Sequence, residues 1–154
     1  MTRPSRARLT LFAFGDFAFN LYWQSAMLFL LFYYTDALGL PVAAAATIFM
    51  AASVWDGIAN FVAGLLADRR EPKGGLGRLV AIGGVPLGLG FVLAYLPPLV
   101  PGWWGMVGVF AGHIAFRTAY AFINLPYLAM SARVSADSND RAYVAGVRML
   151  SGTL

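Results

Sequence analysis

Three apolar segments of the chain carry charged and amide side chains at the spacing of a helix face. The positions are Asp16, Asn20 and Gln24 in the first segment, Ser53, Asp56 and Asn60 in the second, and His113, Arg117, Tyr120 and Asn124 in the third. Residues three or four positions apart lie on the same side of an α-helix. Polar groups in an apolar environment need partners, and inside a membrane they typically mark the path of a polar solute. The chemistry that this pattern predicts is transport.

The segments that position these residues are long enough to cross a bilayer, which takes about 20 apolar residues. Four spans are predicted, at 11–35, 42–67, 79–100 and 103–130. A fifth apolar segment begins at residue 142 and reaches the last residue, 154. At 1.5 Å per residue its length is about 20 Å, too short to cross. We therefore expect an all-α integral membrane protein with four full transmembrane helices and the start of a fifth, the N-terminal part of a longer chain.

Composition supports a protein embedded in the lipid bilayer. Of the 154 residues, 60% are hydrophobic and 12% are charged, whereas about 25% of the residues in a soluble domain are charged. There is no cysteine, so disulfides and thiolate metal sites are excluded. The net charge of +4 comes from Lys and Arg residues that flank the apolar segments, a placement that does not favour binding of nucleic acid.

The positive charges also predict the orientation of the spans. Lys and Arg cluster before the first span, between the second and third, and between the fourth and fifth, while the connections at 39–41 and 98–102 have none. Cytoplasmic connections are rich in Lys and Arg. The N-terminus is therefore predicted to be cytoplasmic, in a multi-pass protein of the plasma membrane.

Depth along the spans sorts the polar residues into two layers. Counted from the cytoplasmic ends, one layer lies about 10 Å deep and the other about 15–20 Å deep. The shallower layer contains Asp16, Asn60, Asn124 and Arg148, and the deeper layer contains Asn20, Asp56 and Arg117. Asp56 and Arg117 are expected to pair, since either charge alone would be costly to bury. The shallower layer offers both donors and acceptors and suits a polyol. Asn20 is also predicted to bind the solute. For Asn20, Gln24 and Ser53, hydrogen bonding between helices is an equal alternative to a role in transport, and His113 is interpreted as structural.

Motifs of common enzymes are missing from the sequence. It contains neither a His-Glu-x-x-His zinc motif nor a Gly-x-Ser-x-Gly elbow nor a Walker loop, and it has a single histidine. We therefore predict that the protein is not an enzyme and has no cofactor other than a coupling cation.

Several short motifs resemble those of a transporter family. The stretch 64–70, followed by Gly77 and Arg78, is similar to the loop signature of the major facilitator superfamily. The stretches 15–18, 32–36, 54–58 and 124–127 together resemble the glycoside-pentoside-hexuronide:cation symporters, the melibiose permease type. The resemblance implies a twelve-helix bundle, of which this chain is part of the N-terminal six-helix half. It also implies a cytoplasmic loop gate at Asp68, Arg69 and Arg78.

The same resemblance implies roles for individual residues. Asp16, Asn124 and Arg148 correspond to positions that bind the sugar, and Asp56 to a position that binds the coupling cation. Other positions depart from the pattern, because Ala59, Asn60 and Ala121 stand where the family has an asparagine, an acid and a threonine. Together with Arg117, these departures argue against sodium coupling and leave a proton as the alternative.

The expected function is secondary active transport of a sugar, glycoside or related polar solute by alternating access. The partners expected are the small solute, the bilayer and the remainder of the transporter. Three alternatives stay open: an accessory membrane subunit without its own pathway, a sodium-independent uniporter or lipid-type transporter of the same superfamily, and an integral-membrane hydrolase that the lone histidine disfavours.

Overall fold

The computed structural model describes residues 5–69, 75–133, 135 and 137–152, and within these ranges the chain is helical and has no strand. The helices are α1 (Arg6–Phe32), which continues as a π-helical extension (Tyr33–Ala37), α2 (Val42–Arg69), α3 (Gly75–Ala94), α4 (Trp103–Arg133) and α5 (Ser138–Gly152). The prediction of an all-helical fold is therefore confirmed.

Three of the described helices are long and apolar enough to cross a membrane. The qualifying stretches are Val42–Ala67, Gly77–Ala94 and Trp103–Ser131, in α2, α3 and α4. Helix α1 has 27 residues, a length that suffices for a crossing. Its polar face, with Asp16, Asn20 and Gln24, lowers its mean hydropathy. The crossing of α1 stays a prediction, as do the bounds of all the spans and their orientation.

Several helix ends differ from the sequence-based bounds of the spans, and two of these differences have a clear physical reason. Helix α3 ends at Ala94, not at residue 100. Two prolines, Pro97 and Pro98, follow it, and proline lacks the N–H and disfavours helix in the residue before it. Helix α5 begins at Ser138, not at residue 142. The Asp137 carboxylate accepts a hydrogen bond of 2.8 Å from the backbone N–H of Asn139, as a helix N-cap does.

Helix α4 lies at the centre of the packing, against α3 on one side and α2 on the other, while α5 packs against α1. Small residues allow the close approach of α3 and α4. A Cβ on Gly90 would lie 3.0 Å from the Phe116 Cα, and one on Gly112 would overlap the Leu93 carbonyl group. Small residues let helix backbones approach in membranes, where the hydrophobic effect does not drive helices together. Helices α3 and α4 are therefore the closely packed pair of the bundle.

Candidate functional site

An ion pair joins α1 to α5. The guanidinium of Arg148 donates to Asp16 Oδ1 through Nη2 at 2.8 Å and through Nε at 3.2 Å. Both hydrogen bonds end on one carboxylate oxygen, so Arg148 does not engage Oδ2 of Asp16. The two side chains retain 19% and 17% of their exposure, which leaves the pair accessible from the space between the helices.

Tyr127 on α4 supports this ion pair. The Arg148 guanidinium lies 5.5 Å from the centre of the Tyr127 ring, within the range of a cation–π contact. The Tyr127 hydroxyl donates a 2.6 Å hydrogen bond to the carbonyl oxygen of Phe12. Gly15 makes room for the ring, since a Cβ there would lie 3.2 Å from it. Tyr127 therefore holds three helices, α1, α4 and α5, in register around Asp16.

Two amides of the predicted solute site lie one helical turn away from residues of this ion-pair region, Asn20 from Asp16 on α1 and Asn124 from Tyr127 on α4. Asn20 is half-buried, and its Nδ2 donates a 3.3 Å hydrogen bond to the backbone oxygen of Asp16. Asn124 is half-buried on α4, one helical turn before Tyr127.

Asp16, Arg148 and Tyr127 are brought together, and we name these three residues the α1–α5 site.

A second ion pair joins α2 to α4. Arg117 Nη1 lies 3.9 Å from Asp56 Oδ2, and the exposed fractions of the two side chains are 1% and 17%. Arg117 is among the largest fully buried side chains of the described residues. The long N···O distance gives an ion pair without a close hydrogen bond. The structure thus brings together the acid and the base that the depth estimate placed at one level.

The surroundings of Arg117 are aromatic. Its guanidinium lies 4.6 Å from the centre of the Trp23 ring and 5.6 Å from that of Phe49. Its Nε donates a 3.2 Å hydrogen bond to His113 Nε2, which assigns the remaining imidazole proton to Nδ1. The faces of two aromatic rings and one imidazole lone pair stabilise the buried cation. We name Asp56, Arg117, Trp23 and His113 the α2–α4 cluster.

The remaining polar positions make contacts within their own helices or lie elsewhere. Asn60 Nδ2 donates to the Asp56 backbone oxygen at 2.8 Å, and Ser53 donates to that of Phe49 at 2.9 Å. Arg78 is exposed near the start of α3. The side chains of Asp68 and Arg69, the other predicted gate residues, lie outside the described part of the structure. In that part, no group of three or more His, Cys, Asp or Glu side chains is arranged to hold a metal ion.

Sequence reasoning missed two aromatic residues that contact the charges. Trp23 lies seven positions after Asp16, and Tyr127 lies three positions after Asn124. Both spacings place the ring on the polar face of its helix. The spacing is therefore a signal in the sequence that could have found both residues.

Apolar helices of this length are those of an integral membrane protein. The chain matches the family described as "MFS/sugar transport protein" over residues 11–154. It belongs to this family, within the major facilitator superfamily and its glycoside-pentoside-hexuronide:cation symporters.

Curated relatives carry transporter names. The chain is similar to the "Inner membrane symporter YicJ" of Escherichia coli, with 30% identity over 92% of the chain and 31% of the relative. It is 24% identical to the "Isoprimeverose transporter" of Lactiplantibacillus pentosus, over 93% of the chain and 30% of the relative. It is 27% identical to the "Glucuronide carrier protein homolog" of Escherichia coli, over 93% of the chain and 32% of the relative. The chain thus spans about a third of the length of these relatives.

Proposed function

We propose that this chain forms part of a secondary transporter that carries a sugar, glycoside or related polar solute. The observation that carries this proposal is the ion pair of Asp16 and Arg148, which lies between α1 and α5 and is partly exposed. A charge pair inside a membrane protein is costly to desolvate and is typically kept for a solute or ion pathway.

The geometry of the α1–α5 site suits a solute with neighbouring hydroxyl groups. Oδ2 of Asp16 can accept a hydrogen bond from a hydroxyl, because Arg148 engages Oδ1. Nη1 of Arg148 can donate to a second oxygen, because the bonds to Asp16 use Nε and Nη2. A sugar hydroxyl both donates and accepts. One sugar could therefore bridge the two charges without separating them, and hydrogen bonds to charged groups are the strong ones.

The difference in exposure between the two ion pairs supports this assignment. Arg148 retains 19% of its exposure, whereas Arg117 retains 1%. A solute can reach the Arg148 guanidinium, while the Arg117 guanidinium is enclosed by aromatic rings. Solute binding is therefore assigned to the α1–α5 site, with the amides of Asn20 and Asn124 as additional hydrogen-bonding groups.

The proposed mechanism is alternating access. In this superfamily's architecture a site between helical bundles opens to one side of the membrane and then to the other as the bundles rock. The N-terminus and the loop after α2 are proposed to face the cytoplasm of a plasma-membrane protein, because Lys and Arg cluster there. Asp68, Arg69 and Arg78 are proposed to act at the cytoplasmic end of the closing movement.

The substrate is proposed to be a glycoside, pentoside or hexuronide. The names of two relatives mention isoprimeverose and a glucuronide, one neutral and one acidic sugar. The α1–α5 site carries one negative and one positive charge. A balanced pair of charges accommodates a neutral sugar, and Arg148 can also pair with a carboxylate.

The test is uptake of radiolabelled neutral glycosides, pentosides and hexuronides by cells that produce the full-length protein. We expect uptake of at least one of these sugars above that of cells without the protein. Arg148→Gln should abolish this uptake, since glutamine lacks the charge and the forked donor geometry. Arg141→Gln is the matched control on the same helix, because Arg141 is exposed, and it should leave uptake intact.

The proposal would be rejected by either of two results. The first is the absence of uptake and of binding for every sugar in the panel by a correctly inserted protein. The second is normal uptake by Arg148→Gln with a protein level equal to that of the wild type.

A further inference from the structure

We propose that Arg117 acts as a tethered cation that neutralises Asp56 permanently, so that a sodium ion is not co-transported at this carboxylate. The inference rests on the proposed function, because it concerns the ion that accompanies the solute. The family consists of cation symporters, and a carboxylate in the bundle is the side chain expected to bind a cation. The groups around Asp56 do not fit a metal ion.

The first argument is the chemistry of the groups that surround Asp56. Hard cations bind to several oxygen ligands. The group that lies against Asp56 is instead the Arg117 guanidinium, which is itself packed against the rings of Trp23 and Phe49 and hydrogen-bonded to His113. The Asn60 Nδ2 donates to the backbone oxygen of Asp56 and also hydrogen-bonds to its carboxylate, so this amide presents a donor to Asp56. Within the described ranges, no metal-binding group of three or more acidic, His or Cys side chains occurs.

The second argument is charge. Arg117 Nη1 lies 3.9 Å from Asp56 Oδ2, and a sodium ion bound to this carboxylate would lie close to a permanent positive charge in a poorly solvated place. Like charges in a low dielectric repel strongly. A guanidinium is always charged in a protein. An ion from solution would therefore have to displace Arg117 before it could bind.

The third argument is that the neighbours of Arg117 hold its side chain in place beside Asp56. Trp23 and Phe49 enclose its guanidinium, and His113 accepts a hydrogen bond from its Nε. Two buried atoms, Asp56 Oδ1 and Arg117 Nη2, have no hydrogen-bond partner among the described residues. One is an acceptor and the other a donor, and they belong to the two members of the pair. The charges of the pair lie 3.9 Å apart, between Nη1 and Oδ2.

The direct test is binding of radiolabelled sodium to the purified full-length protein, compared with the Asp56→Asn variant. We expect the wild type to show no saturable sodium binding beyond that of the Asp56→Asn variant. Saturable binding by the wild type that is lost in Asp56→Asn would overturn the inference. This readout needs no solute, so it is independent of the proposed function.

Uptake provides the second test, with the solute identified by the transport screen. A tenfold inward gradient of a coupled ion would support about tenfold accumulation of the solute. We expect the accumulation ratio with an inward sodium gradient to equal that with choline. Sodium-driven accumulation would reject the role of Arg117 as a tethered cation and would leave the proposed function intact. The absence of any sugar transport would reject the proposed function alone.

Variants test whether the charges of Arg117 and Asp56 are coupled. Arg117→Gln leaves Asp56 as an unpaired buried charge, and Asp56→Asn does the same to Arg117, so each single variant should lower the yield of folded protein. The double variant Arg117→Gln/Asp56→Asn should recover yield, because it has no unpaired charge. Arg8→Gln, at an exposed arginine of α1, is the control. Additive damage in the double variant would show that the two charges are not coupled and would overturn the inference.

Discussion

Arg148 on α5 places two hydrogen bonds on the same oxygen, Oδ1, of Asp16 on α1. This geometry differs from the forked pairing in which each guanidinium nitrogen faces its own carboxylate oxygen. One oxygen of the acid and one nitrogen of the base are left outside the pair. The arrangement can therefore hold α5 against α1 and still offer an acceptor and a donor to a solute.

The first prediction concerns the hydroxyl of Tyr127. Tyr127→Phe removes the 2.6 Å hydrogen bond to the Phe12 carbonyl oxygen but keeps the ring beneath Arg148. We expect a loss of about 0.5–1.5 kcal/mol in the free energy of unfolding, measured by thermal unfolding of the purified full-length protein. Tyr143→Phe is the control, because its hydroxyl bonds to Thr10 at an exposed place. A larger effect at Tyr143 than at Tyr127 would contradict the assigned role.

The second prediction compares two glycines of α4. A Cβ on Gly112 would lie 2.8 Å from the carbonyl carbon of Leu93, whereas a Cβ on Gly108 would have no atom within 4 Å. Gly112→Ala forces α3 and α4 apart and should destabilise the protein by about 1–3 kcal/mol. Gly108→Ala should be neutral or stabilise it by up to about 1 kcal/mol, because alanine is the better helix former. Thermal unfolding of both variants measures this difference in stability. Equal melting temperatures would contradict the close packing of α3 and α4.

The third prediction concerns orientation. In full-length protein with no other cysteine, Leu99→Cys should react with an impermeant maleimide added to intact cells. Arg78→Cys should react only after permeabilisation, because Arg and Lys mark cytoplasmic connections. Both positions are exposed in the structure, and Leu99 retains 90% of its exposure. Labelling of Arg78→Cys in intact cells, with Leu99→Cys protected, would show that the orientation is the reverse of the predicted one.

The helical fold could be predicted because long apolar segments have few alternatives in a membrane. Every backbone polar group must be satisfied within the segment, so the run from 42 to 67 had to become a helix. It did so as α2, which begins at Val42. The end of α3 was less predictable, since the apolar residues continue to residue 100 although Pro97 and Pro98 stop the helix. Hydrophobicity alone does not report where hydrogen bonding ends.

The candidate site could be predicted only in part. Helical spacing placed Asp56 and Arg117 at a common depth, and the structure has them 3.9 Å apart. The same spacing puts Trp23 on the polar face of α1, but it does not show which side chain the ring contacts, so the contact with the Arg117 guanidinium could not be predicted. Contacts between helices depend on how their faces are rotated, and that rotation is fixed by packing across the whole bundle.

The account's central claim is that a polar solute binds at Asp16, and equilibrium binding to the full-length protein tests it most directly. Titration calorimetry should compare the wild type with Asp16→Asn and with Asp36→Asn, a control at an exposed acid next to α1. Loss of a hydrogen bond to a charged group costs about 1.5–3 kcal/mol. We therefore expect Asp16→Asn to bind the transported sugar about 10–150-fold more weakly, while Asp36→Asn binds as the wild type does. Unchanged affinity in a folded Asp16→Asn protein would contradict the account.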